Sequence, residues 1–211
     1  MLATGIIAVI IGYLLGSIPF TYIAARLIKG VDIRRVGGGN VGALNIMREI
    51  GTVAGLAVLL ADMGKGALAV LIAQWLGVSL IFVFIVGLAA VVGHSWPVFL
   101  GFKGGMGGAT AMGVLLALAP VEFAISFAIM VIVVLVTSNF RLGMGVGLAF
   151  LPLIIWWFGG DSSLIIYSLA LPLFLGLRNI PALKRQWASV GDKKSFIVDK
   201  RFTPWQKRRK Q

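Results

Sequence analysis

Seven long runs without a charged residue at most of their positions, at about 3–22, 53–76, 79–97, 106–119, 121–138, 143–159 and 163–177, constrain this chain more than any other feature. A hydrocarbon core about 30 Å thick takes about 20 apolar residues as a helix, and only helices or closed barrels satisfy their backbone there. With 59% apolar residues and a mean hydropathy of +1.01, the 211 residues read as an all-α integral membrane protein. The first run carries its positive charges after the apolar part, so it reads as a retained span with its N-terminus outside, and not as a cleaved signal peptide.

The stretch 106–138 is too long for one ordinary span and barely enough for two. Charge decides the count. With an outside hairpin at Pro120 and Glu122, the segment Arg26 to Arg48, Lys103, Arg141 and the tail from Arg178 all fall on the cytoplasmic side. Outside loops then hold only Glu122 and Asp161, as the positive-inside rule favours. The sequence therefore predicts seven transmembrane helices in one membrane domain, 1–181, and a basic cytoplasmic tail, 182–211. The net charge of +12 follows topology and not nucleic-acid binding. Trp187, Phe196, Phe202 and Trp205, interleaved with lysines and arginines, suggest a tail lying on anionic lipid.

Between the first two runs lies a polar island, Arg34 to Arg48, reading RRVGGGNVGALNIMR. Gly37, Gly38 and Gly39 leave backbone N–H groups unobstructed, and Asn40 is a good cap for a helix through Val41 to Ile50. A glycine-rich turn entering a helix is suited to an anion, and Asn45 and Arg48, three apart, share a face beside it. Taken alone, the stretch reads equally as a flexible cytoplasmic loop. Gly37, Gly39 and Gly42 spell a dinucleotide fingerprint, but an apolar helix-length run precedes them where a strand is required. The pattern of a P-loop occurs nowhere.

Other polar residues inside apolar runs are few. Gly16-Ser17-Ile18-Pro19 predicts a kink in the first helix. Asp62 and Lys65, three apart in the second run, predict an intramembrane pair that lines or braces a site. His94 closes the third run, and Lys103, Gly104 and Gly105 lead into a second glycine-rich helix entry on the cytoplasmic face. Two such entries, each with a cation, point to two anionic groups. There is no cysteine and a single histidine, so thiol chemistry is excluded and a protein metal site is not expected.

These residues resemble the bacterial acyl-phosphate:glycerol-3-phosphate acyltransferases of the membrane, the PlsY family. GGGNVGALNIMR is similar to its G-S-G-N-x-G-A-T-N-x-x-R motif, Asp62 to Gly66 to D-x-x-K-G, Gly93 to Thr110 to G-H-x-x-P-V-F-x-x-F-K-G-G-K-G-x-A-T, and Asn179-Ile180 to the last motif. The resemblance implies a seven-helix fold in the bacterial inner membrane. It implies a cytoplasm-facing site that moves a fatty acyl group from acyl phosphate to glycerol 3-phosphate, giving lysophosphatidic acid for phospholipid synthesis, with no cofactor. By the same resemblance Asn40, Asn45, Arg48, Lys103 and His94 are catalytic, and Gly37, Gly38, Gly39, Gly42, Gly104, Gly105 and Asn179 bind substrate; Arg141, which stands where the family has a serine, is expected as a substrate-binding cation in place of the charge missing at Met106. The chain departs from the family at Gly38, Leu44, Met106 and Met144, where the pattern has hydroxyls or a lysine. A second reading, from another class, is a family member that binds or passes a phosphorylated lipid or solute without chemistry.

Overall fold

The computed structural model describes residues 2–188, with side chains to 180, and among these residues every regular element is helical. Two compact units divide the chain, Met1–Pro120 and Val121–Gln211.

In the first unit, α1 (Leu2–Ser17) stops where Pro19 supplies no N–H, and α2 (Phe20–Lys29) starts at once. The predicted kink is thus a full break. α2 is amphipathic: Thr21 and Ala25, one turn apart, are buried, while Leu27 and Ile28 face outwards. Gly30, in the left-handed region at φ 68°, ends it and donates its N–H to the Arg26 carbonyl. After a single 3₁₀ turn at Ile33–Arg35 and the glycine loop come α3 (Ala43–Glu49) and α4 (Thr52–Trp75). Ile33, Val41 and Ile46 pack with Ala25 of α2 and Val58 of α4, so the island is a folded cap on the helices and not a flexible loop.

α5 (Leu80–Ser95) packs along α1 through small residues. A Cβ at Gly16 would run into the Ala90 carbonyl, and one at Gly93 into the Tyr13 carbonyl. Such close approach lets dispersion hold helices together where water supplies no driving force. α6 (Gly108–Leu118) packs against α4 in the same manner: Gly66 lies under the Thr110 carbonyl, and Gly113 under that of Met63.

The second unit contains α7 (Pro120–Thr137), α8 (Phe140–Trp157) and α9 (Ser162–Ala188). Asn139 caps α8 by accepting from the N–H groups of Arg141 and Leu142. Gly143 and Gly147 of α8 fit against Met130 of α7, and Ser126 Oγ donates to the Gly147 carbonyl at 2.7 Å. α9 continues past Pro181 to Ala188. The aromatic and basic positions of the predicted lipid-surface tail lie outside the residues whose side chains are described.

Among the described residues, six helical stretches are long and apolar enough to cross a membrane. The predicted span at 106–119 is instead the 11-residue α6, about 16 Å long at 1.5 Å per residue. Gly107, at φ 84°, begins it, and Ala119 leaves helical geometry ahead of Pro120, as a residue before proline does.

Candidate functional site

In the first unit the α1–α2 break, the island, the middle of α4 and the end of α5 meet, and they enclose a candidate site. A narrow cleft there is lined by Gly16 to Thr21, Val41, Asp62, Lys65, His94, Pro97, Leu100 and Gly104. Val41 of the island and Gly104 of the second glycine-rich stretch both line it.

Asp62 and Lys65 form the predicted pair, with Lys65 Nζ 2.7 Å from Asp62 Oδ1. The same ammonium donates to the Ile18 carbonyl at 2.8 Å and sits 5.7 Å from the centre of the Phe20 ring. His94 Nδ1 lies 3.5 Å from the same Asp62 oxygen. Helical spacing gave the first contact, whereas the second depends on how α5 docks against α4. Thr21, buried in the cleft wall, has no hydrogen-bond partner for its hydroxyl among the described residues. Sequence reading passed over Thr21, whose position one turn ahead of the buried Ala25 was the available signal.

The glycines serve a different purpose from the one expected of them. Gly38 N–H donates to Asn45 Oδ1 at 3.3 Å, and Gly39 N–H to the Val36 carbonyl at 3.1 Å. Gly104 N–H donates to the Ser95 carbonyl and Gly105 N–H to that of His94. These four donors are spent inside the protein. Gly37 and Gly39 are needed for positive φ, at 60° and 67°. Gly104 and Gly105 are needed for space: a Cβ at Gly105 would meet both His94 Nε2 and the Val41 carbonyl, which brings the second stretch against the first.

Asn40 does not cap α3. The helix starts two residues later than predicted, behind Gly42 in extended geometry, and the Gly42 carbonyl accepts from Asn45 N–H. Asn45 is buried, and its amide donates to the Val36 and Asn40 carbonyls at 3.1 and 3.0 Å. It therefore braces the glycine loop from beneath. Arg48 and Lys103 are exposed, in the last turn of α3 and in the loop before α6. Neither they nor Asn40 and Asn45 line the cleft. Asp32 binds the Arg34 guanidinium with both oxygens, at 2.7 and 3.0 Å, which holds its carboxyl down to about 2.

Arg141 and Asn179 belong to the second unit. Arg141 is half-buried in the first turn of α8, and Asn179 donates to the Leu175 carbonyl at 2.8 Å.

Comparison with known proteins gives a consistent result. The profile of the family described as Glycerol-3-phosphate acyltransferase matches residues 6–189. Glycerol-3-phosphate acyltransferase 1 of Dehalococcoides mccartyi is 39% identical over 198 residues, 91% of this chain and 95% of that protein. Glycerol-3-phosphate acyltransferase 2 of Moorella thermoacetica is 40% identical over 188 residues, 89% and 96% of the two chains. The crystal structure of PlsY (YgiH), an integral membrane glycerol 3-phosphate acyltransferase, in its glycerol 3-phosphate form, superimposes with a TM-score of 0.79 at 35% identity, covering 87% of this chain and 92% of that one. Its lysophosphatidic acid form gives 0.77 at 34%. On sequence, motif order and fold together, the chain belongs to the glycerol-3-phosphate acyltransferase family.

Proposed function

We propose that the protein transfers a fatty acyl group from acyl phosphate to a hydroxyl of glycerol 3-phosphate in phospholipid synthesis. The carbonyl carbon exchanges its bond to phosphate oxygen for one to the glycerol oxygen. The hydroxyl proton passes to the released phosphate, and the products are lysophosphatidic acid and inorganic phosphate. The observation that carries this reading is the meeting of Val41 and Gly105 at His94, which joins the two glycine-rich stretches in a chain of this family.

With four glycine N–H groups committed internally, phosphate recognition falls to the remaining donors. The first turn of α6, at Gly108 and Ala109, has N–H groups without helical partners, and Lys103 precedes it. Arg48 offers a planar fork for a second phosphate. Asn40 completes the binding set of this unit on the strength of the family resemblance. Charge held in place before reaction lowers the barrier without a protein base.

The site faces the cytoplasm of a bacterial inner membrane, with seven crossings and the N-terminus outside. α6 makes the short crossing, continued on its N-terminal side by the loop that packs on the end of α5; irregular backbone at that depth is tolerated where protein covers it. Anionic headgroups on the same face attract the exposed cations near the island and the basic tail.

Release of phosphate from acyl phosphate, by purified protein in detergent with and without glycerol 3-phosphate, tests the reading. Glycerol 3-phosphate should stimulate release and yield lysophosphatidic acid, and Arg48→Ala should abolish both. Full activity in Arg48→Ala would remove the acyltransferase assignment. Release that ignores glycerol 3-phosphate would point to hydrolysis instead.

A further inference from the structure

Three ionisable side chains lie together away from water in the first unit: Asp62 is 1% exposed, Lys65 5% and His94 8%. We infer that Asp62 is a positioning residue for acyl transfer, one carboxylate that keeps the α1–α2 break and the second glycine-rich loop in register through Lys65 and His94. The inference rests on the acyltransferase reading.

A buried ion pair is a poor way to stabilise a helix interface, because well-packed apolar residues of similar volume do as well or better. The buried face of α4 otherwise reads Gly55, Val58, Gly66, Ala69, Val70 and Ala73, so an apolar residue at 62 would continue the pattern. The carboxylate makes contacts that an apolar residue cannot.

Those contacts diverge from a single oxygen. Through Asp62 Oδ1 the Lys65 ammonium is held at 2.7 Å, and Lys65 in turn fixes the Ile18 carbonyl at 2.8 Å, at the point where α1 ends. The same oxygen faces His94 Nδ1 at 3.5 Å. A partner at one imidazole nitrogen sets the orientation and the proton position of the other. That other nitrogen, Nε2, lies against Gly105 beside the Val41 carbonyl, and the His94 carbonyl accepts from Gly105 N–H at 3.1 Å. Asp62 thereby ties together three backbone sites far apart in sequence: residue 18, residue 41 and residue 105. Gly104 and Gly105 lead into the N-terminus of α6, so a shift of the His94 ring moves the loop that carries Lys103.

The test uses the full chain in detergent, comparing wild type with Asp62→Asn, the neutral pair Asp62→Leu/Lys65→Met, and Asp62→Glu. Turnover is followed against both phosphorylated substrates, thermal midpoints are recorded, and glycerol 3-phosphate binding is titrated by calorimetry. For the neutral pair the expected result is a thermal midpoint equal to or above wild type, because two buried charges give way to apolar side chains of similar shape. KM for at least one phosphorylated substrate should rise tenfold or more with kcat within threefold, the signature of lost positioning in binding. Wild-type KM values in a folded neutral pair would reduce the cluster to a packing device and overturn the inference. Loss of kcat at unchanged KM would overturn it too, by moving Asp62 into the chemical step. If the neutral pair does not fold, Asp62→Glu carries the test, since it keeps the charge and displaces the oxygen by one methylene. The same KM rise is expected, and an unchanged KM overturns the inference. Wild type without turnover would remove the acyltransferase reading alone. The positioning role of Asp62 is then read for binding alone: a tenfold weaker calorimetric affinity for glycerol 3-phosphate in the neutral pair supports it, and equal affinities overturn it.

Discussion

The side-chain oxygen of Asn45 accepts the Gly38 N–H at 3.3 Å while its amide nitrogen donates to Val36 and Asn40 carbonyls on either side of that glycine. One side chain thus closes the whole loop. Asn45→Ala removes these bonds and should lower stability by about 2–3 kcal/mol, at about 1 kcal/mol for each bond lost inside the protein. Asn45→Asp should cost more, because it turns a donor into a charged acceptor among carbonyl oxygens. Thermal unfolding followed by circular dichroism ranks the two, and an Asp variant as stable as wild type would show that the loop does not depend on this amide.

Neighbouring glycines should respond in opposite ways. A Cβ at Gly38 meets nothing within 4 Å, so Gly38→Ser should leave stability within about 0.5 kcal/mol. It restores the hydroxyl of the family pattern and should lower KM for a phosphorylated substrate. Gly37 is at φ 60°, and a Cβ there would press on Asn45 Oδ1 and Glu49. Gly37→Ala should therefore cost about 1–3 kcal/mol. Thermal midpoints and KM values measured on both proteins check the contrast.

Asp32 should hold its charge well into acid. Its carboxyl is lowered from the ordinary 3.8 to about 2, chiefly by the hydrogen bond from Arg34. A lowered folded value means that the contribution to stability is complete above 3.8 and is lost as pH falls through about 2. Arg34→Gln should return the titration towards the ordinary carboxylate range. Carbon NMR of the labelled carboxyl in micelles reads both, and an unchanged midpoint in Arg34→Gln would assign the shift elsewhere.

Topology is open to direct labelling in a chain without cysteine. Single cysteines at Met1, Glu122 and Asp161 should react with an impermeant reagent from outside, and those at Gly38 and Gln211 should not. Labelling of position 211 from outside would make the number of crossings even and exclude α6 as one of them.

The sequence carried the charge pair but not its third member. Asp62 and Lys65 are linked by helical spacing, which depends on local geometry alone, whereas His94 reaches Asp62 only because small residues let α5 dock closely. The two glycine-rich stretches were legible for a similar reason as positions only: their partners were not visible. A glycine in a sequence does not say whether it supplies a positive φ, as Gly37 does, or room for an imidazole, as Gly105 does. The 106–119 run was legible as apolar, and its end before Pro120 as well. Its start two residues late was not, because Gly107 adopts a left-handed conformation that composition does not specify.

The double fit of α4 and α6 bears on how the enzyme admits its substrates. Gly66 sits under one carbonyl of α6, and Gly113 of α6 sits under one of α4, so each helix holds a backbone bump of the other in a notch. Sliding by even one residue would drive carbonyl oxygens into Cβ atoms, and rotation would lift both contacts at once. These two helices therefore behave as one stiff strut through the catalytic cycle. Within this unit any change of shape is thereby left to the segments that connect the helices, because α4 and α6 cannot slide past one another.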